Sequence, residues 1–183
     1  WLSFDDVNTI SGTPTNDDVG AHNVVLTVSD EVETVEQSFQ VTVENTNDPP
    51  VADDIDETFQ EDIAGIITLV GSDTDSPDSS LIFAIVTDPS HGSLTQMTRA
   101  LESWTYTPHS NYNGSDSFTY KVFDGEFADT AMVDITIIAV NDVPEFTSDP
   151  VTVAVEDAAY SYTATASDVD EGDVLTFAAT ILP

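Results

Sequence analysis

The stretch Glu44-Asn45-Thr46-Asn47-Asp48-Pro49-Pro50 follows an alternating apolar segment with amides, carboxylates and two prolines. A related stretch, Val140-Asn141-Asp142-Val143-Pro144, stands later in the chain, and the spacing from Asn47 to Asn141 is 94 residues. Self-similarity at a fixed period is the mark of tandem repeat architectures. These two stretches, termed the first linker (residues 44–50) and the second linker (residues 140–144), therefore predict modules of domain size joined by acidic, proline-stiffened segments.

Other motifs recur at the same interval. Three pairs of alike segments are separated by 94 or 95 residues: Glu61-Asp62 and Glu156-Asp157, Asp73-Thr74-Asp75 and Asp168-Val169-Asp170, and Phe39-Gln40-Val41-Thr42-Val43 and Val133-Asp134-Ile135-Thr136-Ile137. A period of this length is enough for one small core per module. It divides the chain into a head (residues 1–50), a middle module (residues 51–143) and a tail (residues 144–183).

The composition is strongly acidic. Among 183 residues, 35 are Asp or Glu, only Lys121 and Arg99 are basic, and the formal net charge is −33. Such a charge excludes binding to the phosphate backbone of nucleic acids. The hydrophobic fraction of 40% and its alternating pattern indicate a folded chain rather than a disordered one. No stretch approaches the ~18 to 20 consecutive apolar residues of a membrane span, so we predict no membrane insertion in this segment.

Short alternating runs separated by turn residues fill the middle module. We predict six strands there: Ile63–Val70, Leu81–Val86, Ser93–Met97, Trp104–Tyr106, Ser117–Phe123 and Thr130–Ala139. In the head, residues 24–28 and 39–43 are also strand-like, and we expect both faces of the former to be partly buried. No run has a convincing helical period. Many short strands at close spacing predict an all-β chain of tandem antiparallel β-sandwiches with Ig-like topology.

The middle module carries three recognisable motifs: His91-Gly92-Ser93-Leu94, Trp104-Thr105-Tyr106-Thr107-Pro108, and Asn111-Tyr112-Asn113-Gly114-Ser115-Asp116-Ser117-Phe118-Thr119-Tyr120. Together with Asp124-Gly125, they resemble the cadherin-like, Ig-like repeat of giant bacterial surface adhesins over nearly all of residues 51–143. The resemblance implies Ig-like or cadherin-like sandwiches that are extracellular or on the cell surface. It also implies a structural role rather than a catalytic one.

The head and the tail resemble two halves of a different module. Trp1-Leu2-Ser3-Phe4 and Ile10-Ser11-Gly12-Thr13-Pro14 are similar to the second half of a dystroglycan-type cadherin-like domain, and Leu175-Thr176-Phe177 is similar to its first half. Neither half is long enough to bury a sufficient core alone. We therefore expect the tail of one copy to complete the head of the next, either because the chain is one repeat of a longer array or because separate chains exchange halves head to tail. The expected contacts are Leu182-Pro183 beside Trp1-Leu2, and Leu175 and Phe177 against Val24, Leu26 and Phe39.

The recurring acids fall at predicted strand ends and linkers. Calcium takes six to eight hard oxygen ligands from carboxylates, amides and backbone carbonyls, and acidic clusters at a module end can supply them. Asp and Asn also favour ordinary solvated turns, so a single Asp-x-Asp motif would not indicate a metal. Repetition in register favours Ca²⁺, and the resemblance to cadherins implies the same ligand types. The candidate ligands are Asn47, Asp48, Glu61, Asp62, Asp73, Asp75, Asp124, Asn141, Asp142, Glu156, Asp157, Asp168 and Asp170.

An EF-hand does not fit the sequence. The run Asp168-Val169-Asp170-Glu171-Gly172-Asp173 begins like such a loop, but its twelfth position is Ala179, where a bidentate Glu is needed. The predicted sites are therefore assembled from separate segments. The chain has no cysteine, so no disulfide can stabilise its small cores, and a bound metal can substitute for one.

Motifs of catalysis are missing from the sequence. There is no Gly-x-Ser-x-Gly elbow, and the three histidines are too dispersed for a zinc signature. We therefore predict a non-enzymatic, calcium-stiffened extracellular repeat of a bacterial surface adhesin or filament, with neighbouring copies, other cells or surface polysaccharide as partners. Two alternatives stay open: a carbohydrate-binding module and a non-catalytic appendage of a secreted enzyme. Trp104 and Tyr106 could stack on sugars, although large aromatics more often fill the core of a small sandwich.

Overall fold

The computed structural model describes residues 1–5, 7–77, 80–97 and 102–179. Over this part of the chain the secondary structure is almost entirely β, with fifteen strands and one short 3-10 turn at Asn16–Asp18. The all-β prediction is confirmed. No helix in the described ranges is long and apolar enough to span a membrane.

Most strands are short, and four of them reach ten or eleven residues. In chain order they are β1 (Ser3–Phe4), β2 (Ile10–Ser11), β3 (Gly20–Ser29), β4 (Thr34–Val43), β5 (Val51–Ala52), β6 (Ile55–Gln60), β7 (Gly65–Thr68), β8 (Gly71–Ser72), β9 (Ile82–Thr87), β10 (Gly92–Gln96), β11 (Ser103–Pro108), β12 (Gly114–Phe123), β13 (Ala128–Ile138), β14 (Glu145–Phe146) and β15 (Ala166–Ser167). Each of the six strands predicted for the middle module is present.

Backbone contacts group the chain into two compact units. The first holds Trp1–Asp54, Leu69–Val86 and Thr119–Met132, and the second holds Ile55–Thr68, Thr87–Phe118 and the chain from Val133 onward. The first linker belongs to the first unit, and the second linker belongs to the second unit. Each linker therefore lies in the same unit as the Asp-x-Asp motif that follows it.

Alternating side chains of β12 and β13 contribute to a core in each unit. The core residues are at most 7% exposed: Leu69, Leu81, Tyr120, Val122 and Ala131 in the first unit, and Ile67, Tyr106, Phe118, Val133, Ile135 and Ile137 in the second. The sheets have the strand orders β6-β13-β12-β9 and β10-β11-β7. In the second unit the side chain of Phe59 on β6 stacks on Tyr106 of β11, with ring centroids 5.7 Å apart. This arrangement confirms the Ig-like, cadherin-like sandwich.

The pairing of β6 with β13 departs from the antiparallel pattern that the sequence predicted. These two strands are parallel, in a register that runs from Ile55 beside Val133 to Gln60 beside Ile138. β6 itself was not predicted, because the run Ile55-Asp56-Glu57-Thr58-Phe59-Gln60 is acidic and has little apolar alternation. Its strand conformation comes from its neighbour in the sheet, and such context routinely overrides intrinsic β-propensity.

The head consists of two strand pairs, β1 with β2 and β3 with β4, both antiparallel. Within the described residues β3 and β4 pair only with each other. The expectation that both faces of residues 24–28 are partly buried is wrong, because Val25 is 56% exposed and lies on the face opposite Val24 and Leu26. Val28, on the same face as Leu26, is 71% exposed.

The tail contains one short strand pair among its described residues. Glu145 lies beside Ser167 and Phe146 beside Ala166 in the antiparallel pair β14–β15. Phe146 also contacts Phe177, with ring centroids 6.1 Å apart. The predicted contact of Leu182-Pro183 with Trp1-Leu2 concerns residues 182 and 183, which lie outside the described part of the chain.

Candidate metal centre at the linkers

The second linker is bound to the Asp-x-Asp motif that follows it. The backbone NH of Asp142 donates a 2.6 Å hydrogen bond to Oδ2 of Asp170, and the NH of Asp170 donates a 3.0 Å bond to Oδ1 of Asp168. Glu61 is only 2% exposed, and its Oε1 accepts a 2.6 Å bond from the NH of Val140. Four predicted ligands, Glu61, Asp142, Asp168 and Asp170, are thus brought to one linker.

The electrostatics of this linker are unfavourable without a cation. Desolvation raises the pKa of Asp142 above its ordinary value, and the neighbouring carboxylates of Asp62, Asp170, Glu61 and Asp168 raise it further. Its Oδ2 is buried and has no hydrogen-bond partner among the described residues. A carboxylate oxygen in such a position is costly unless an opposite charge accompanies it.

A third carboxylate joins the Asp-x-Asp motif. One oxygen each of Asp168, Asp170 and Asp173 lies within 4.8 Å of the others. Asp173 was missed as a ligand because it was considered only as part of an EF-hand loop that does not fit. A signal was nevertheless present in the sequence, since Asp173 and Asp78 are also separated by the 95-residue interval.

The first linker repeats the geometry of the second. The NH of Asp48 donates a 2.6 Å bond to Oδ2 of Asp75, and the NH of Asp75 donates a 2.7 Å bond to Oδ1 of Asp73. The other oxygen of Asp73 is buried and has no hydrogen-bond partner in the described structure. The amide of Asn16 also donates to Oδ2 of Asp48. Each linker therefore combines the same two hydrogen bonds with one unpartnered buried carboxylate oxygen.

Asp124 has a structural role that needs no metal. The backbone NH groups of Glu126 and Phe127 donate to its Oδ1, at 2.6 and 2.7 Å, as in an ordinary Asp turn. The NH of Glu126 is the largest influence on the pKa of Asp124, which is lowered, and the amide of Asn47 contributes through a 2.8 Å bond to Oδ2. Asn47 and Asp124 thus join the first linker to the β12–β13 turn, and their role as ligands stays a prediction.

The remaining predicted ligands differ in their relation to the linkers: Asn141 belongs to the second linker, and Asp62 lies close enough for its carboxylate to raise the pKa of Asp142. Oδ1 of Asp62 accepts a 2.9 Å bond from the NH of Asn111. The side-chain amide of Asn141 donates to the carbonyl oxygen of Asp142. Glu156 and Asp157 are exposed, and the described contacts do not connect them to either linker. Asp157 nevertheless has the positive φ of 64° that matches φ 62° at Asp62, so the recurring Glu-Asp motif also recurs in backbone conformation.

The donor set fits a hard divalent cation. Carboxylate oxygens predominate at both linkers, and cysteine is absent from the sequence. Calcium is bound by oxygens of these kinds, whereas zinc and softer metals prefer imidazole or thiolate. The unpartnered oxygens of Asp73 and Asp142 are where such a cation would supply the missing charge.

The burial of Trp104 and Tyr106 favours a place in the core over a role in sugar stacking. Tyr106 is fully buried, as the sequence favoured, and Trp104 is half-buried. The rings of His91 and Tyr112 stack with centroids 4.0 Å apart. Burial of Tyr106 removes it from any platform for sugar stacking.

Family models match most of the chain. Residues 47–136 match the family described as bacterial Ig domain, and residues 1–44 match the family described as putative Ig domain. None of the curated proteins matches the sequence significantly. The boundary between the two matches falls at the first linker, between residues 44 and 47.

Several solved structures are similar in fold. An endo-fucoidan hydrolase of glycoside hydrolase family 107, MfFcnA4, is 24% identical with a TM-score of 0.42, and the match covers 72% of this chain and 20% of the hydrolase. Human protocadherin-24 EC1-2 is 18% identical with a TM-score of 0.48, over 68% of each chain. Mouse protocadherin-24 EC1-3 is 17% identical with a TM-score of 0.49, over 86% of this chain and 58% of that one.

The chain spans about a fifth of the fucoidan hydrolase that it matches. Ig domains of these families are typically non-catalytic, and their usual setting is extracellular. The matches over residues 1–44 and 47–136 and the all-β sandwich agree with the motifs found in the sequence. The chain therefore carries two Ig-type family matches, a bacterial Ig domain over residues 47–136 and a putative Ig domain over residues 1–44, on an all-β fold.

Proposed function

We propose that this chain is a calcium-stiffened extracellular repeat of a bacterial surface adhesin or filament. Its role is to act as a structural spacer and to present surfaces for cell adhesion. The observation that carries the proposal is the geometry repeated at the two linkers. In each, a linker NH donates to the second Asp of an Asp-x-Asp motif, and one buried carboxylate oxygen has no partner among the described residues.

Each linker has a set of carboxylate residues that would bind a cation. At the second linker Glu61, Asp142, Asp168 and Asp170 would hold Ca²⁺, and Asp173 adds a further carboxylate. At the first linker the corresponding groups are Asp48, Asp73 and Asp75. A bound Ca²⁺ supplies positive charge that offsets the mutual repulsion of these carboxylates.

Stiffening follows from which segments the ligands connect. The hydrogen bond from Asp142 to Asp170 already ties the second linker to the tail, and Glu61 ties it to the end of β6. Ligands drawn from all three segments would restrict rotation about the linker. Without a cation, the same carboxylates repel one another within a chain of net charge −33, and repulsion works against a compact arrangement.

Thermal unfolding with and without calcium tests this proposal. Binding to the native state alone stabilises by RT ln(1 + [L]/Kd), and extracellular calcium modules have Kd of roughly 10⁻⁴ to 10⁻³ M. Calcium at ~1 mM should therefore add about 0.4 to 1.4 kcal/mol per site and raise the melting temperature relative to EDTA. Equal stabilisation by magnesium, or by sodium chloride of matched ionic strength, would attribute the effect to charge screening and contradict the proposal.

Adhesion is tested separately from calcium binding. We propose neighbouring copies, other cells and surface polysaccharide as partners. A calcium-dependent aggregation assay on beads that carry the chain, run beside a glycan array in the same buffer, separates adhesion from carbohydrate binding. Glycan binding without bead aggregation would favour the carbohydrate-binding module or an appendage of a secreted enzyme instead.

A further inference from the structure

We propose that strand β9 (Ile82–Thr87) is a docking edge for an extended peptide segment of another protein. The segment has uncharged, alternately apolar side chains in its centre and basic residues at its ends. It would continue the sheet β6-β13-β12-β9 as one further strand beside β9. This inference goes beyond the calcium-binding role of the linkers and does not rest on it.

β9 is the outermost strand of the four-stranded sheet. In the part of the chain that the structure describes, β9 neighbours β12 on one side, and the order of the sheet ends with β9 on the other. A strand in this position presents a row of backbone NH and C=O groups to whatever lies beside the sheet. Addition of an extended peptide to such an edge is a recurring mode of recognition, in which main-chain hydrogen bonds give the affinity.

The composition of β9 suits strand pairing. Its sequence, Ile-Phe-Ala-Ile-Val-Thr, contains no charged residue, no proline and no glycine. β-branched and aromatic side chains, which favour extended backbone, predominate in it. Uncharged segments of about six residues with high β-propensity are those that pair most readily with other strands.

The other outer strands of the two larger sheets are less suited to such pairing. β6 carries Asp56 and Glu57, and charges on an edge strand oppose edge-to-edge contact. β7 has only four residues and begins at Gly65, and β10 has five and begins at Gly92. Short strands and strand glycines weaken pairing. Among these four outer strands, β9 is the longest that carries no charge.

The side chains of β9 offer apolar surface on both faces of the sheet. Ile82 is 54% exposed and Val86 is 52% exposed, and Ala84, which alternation places on the same face, is half-buried. Phe83 and Ile85 on the opposite face are also only half-buried. Directly opposed side chains of neighbouring strands contact each other. An added strand would therefore cover apolar surface on each face, provided that its own side chains are uncharged.

The charge of the chain selects the kind of occupant. The net charge is −33, so a second copy is repelled and a cationic segment is attracted. Asp88, which directly follows β9, is exposed. The exposed Lys121 is on β12, two strands from the added peptide and thus about 10 Å away at ~4.8 Å per strand. A complementary peptide is therefore uncharged along the strand and has lysine or arginine beyond it.

Two synthetic peptides of equal charge test the proposal. The probe peptide alternates valine and threonine, carries two lysines at each end and has a fluorophore at its amino terminus. The control peptide has the same sequence with an N-methyl group on every valine and threonine, so neither of its edges can donate a hydrogen bond. Because the peptides have the same charge and side chains, a difference in their affinities reports main-chain pairing.

Two variants of the whole chain locate the binding. Val86→Lys places a charge on the uncharged edge strand. Ile66→Lys is the matched control, because it makes the same change of charge at a side chain of β7 that is 58% exposed. Both original side chains are more than half exposed, and far-UV circular dichroism verifies that both variants fold.

Fluorescence anisotropy in ~150 mM salt, where the Debye length is ≈ 8 Å, measures the affinities. The unmodified chain should bind the probe peptide at least ~10-fold more tightly than the control peptide. Val86→Lys should weaken probe binding by a similar factor, whereas Ile66→Lys should change it by less than about threefold.

Hydrogen exchange followed by mass spectrometry provides a readout that needs no variant. In the unmodified chain, saturation with the probe peptide should slow exchange in residues 82–87 and leave β7 and β10 unchanged.

Four results would overturn the proposal. Failure of the probe peptide to bind would remove the docking edge, and equal binding of the two peptides would leave charge attraction as the whole effect. Protection in a strand other than β9, or full binding by Val86→Lys, would place the peptide elsewhere. Slower exchange in β9 at rising concentration of the chain alone, without peptide, would make a second copy the occupant.

Discussion

The hydroxyl of Tyr106 donates a 2.7 Å hydrogen bond to Oδ2 of Asp116 inside the middle module. Backbone NH groups of Ser90, His91 and Ser117 also donate to this carboxylate, at 2.9 to 3.0 Å. Burial acts to raise the pKa of Asp116, but these four donors outweigh it and the pKa is lowered. The buried acid is therefore a fixed anion that joins β11, β12 and the turn before β10.

Replacing Asp116 should destabilise the fold strongly at neutral pH. Asp116→Asn removes the charge and leaves two of the four donors facing an amide NH₂ group, because each oxygen of Asp116 accepts from two of them. Breaking a buried network of charge-assisted bonds costs about 2 kcal/mol or more, which urea unfolding at pH 7 would measure. Asp134→Asn is the matched control, because Asp134 is exposed on the neighbouring strand β13, and it should change stability by less than about 0.5 kcal/mol.

The destabilisation caused by Asp116→Asn should decrease at acidic pH. The folded pKa of Asp116 lies below the ordinary value of 3.8. Its stabilising contribution is therefore complete above that value and is lost as the pH falls through the folded pKa. The difference in unfolding free energy between Asp116→Asn and the unmodified chain should shrink below about pH 4. A difference that stays constant from pH 7 to pH 3 would show that the amide acts through packing and not through charge.

Tyr106→Phe should have a smaller effect than Asp116→Asn. The ring stays in place against Phe59 and the three backbone donors still hold the carboxylate, so the cost is that of one charge-assisted bond, about 1 to 2 kcal/mol. Loss of a donor to the ionised form should also bring the pKa of Asp116 upward, which carboxyl NMR titration would detect. An unchanged pKa in this variant would mean that the hydroxyl contributes little to the network.

At the second linker, Asp142→Asn should act in opposite directions with and without calcium. In EDTA the variant relieves repulsion from Asp62, Asp170, Glu61 and Asp168, so its melting temperature should equal or exceed that of the unmodified chain. In millimolar calcium it lacks a ligand charge, so its melting temperature should be lower. Asp149→Asn, an exposed acid in the tail, is the control and should show no such crossover.

Paired substitutions should distinguish the calcium binding of the first linker from that of the second. Asp73→Asn with Asp75→Asn keeps side-chain shape and the acceptor oxygens for the Asp48 and Asp75 NH groups, but it removes two charges at the first linker. Asp168→Asn with Asp170→Asn does the same at the second. In isothermal titration, each double variant should lose the calcium binding of its own linker. The variant that combines all four substitutions should lose nearly all calcium binding. An unchanged isotherm in either variant would move that site elsewhere.

The sequence predicted the parts of the fold that local pattern controls. The six strands of the middle module follow from alternation that places Val133, Ile135 and Ile137 on one face, and all three are buried. The grouping of the linkers with the Asp-x-Asp motifs followed from repetition in register together with the resemblance to cadherins. Both signals lie in residues close together in sequence or at a fixed interval, so they need no knowledge of which strands become neighbours.

The parts that sequence reasoning missed depend on distant neighbours. β6 has an acidic composition and becomes a strand only beside β13. Conversely, Val151, Val153 and Val155 alternate as a strand would, yet they are 49 to 75% exposed and belong to no strand in the described tail. Alternation shows that a segment can become a strand, but a partner strand must be present before it does.

The parallel pairing of β6 with β13 also determines how the molecule responds to mechanical force along the chain. The chain enters β6 at Ile55 and leaves β13 at Ile138, so tension along the chain draws the two strands in opposite directions along their own axes. The evenly spaced hydrogen bonds of a parallel pair are then strained together in shear. In a hairpin pulled open from its end, they would break one after another. Under such tension the β6–β13 pair would yield only when the whole strand slides.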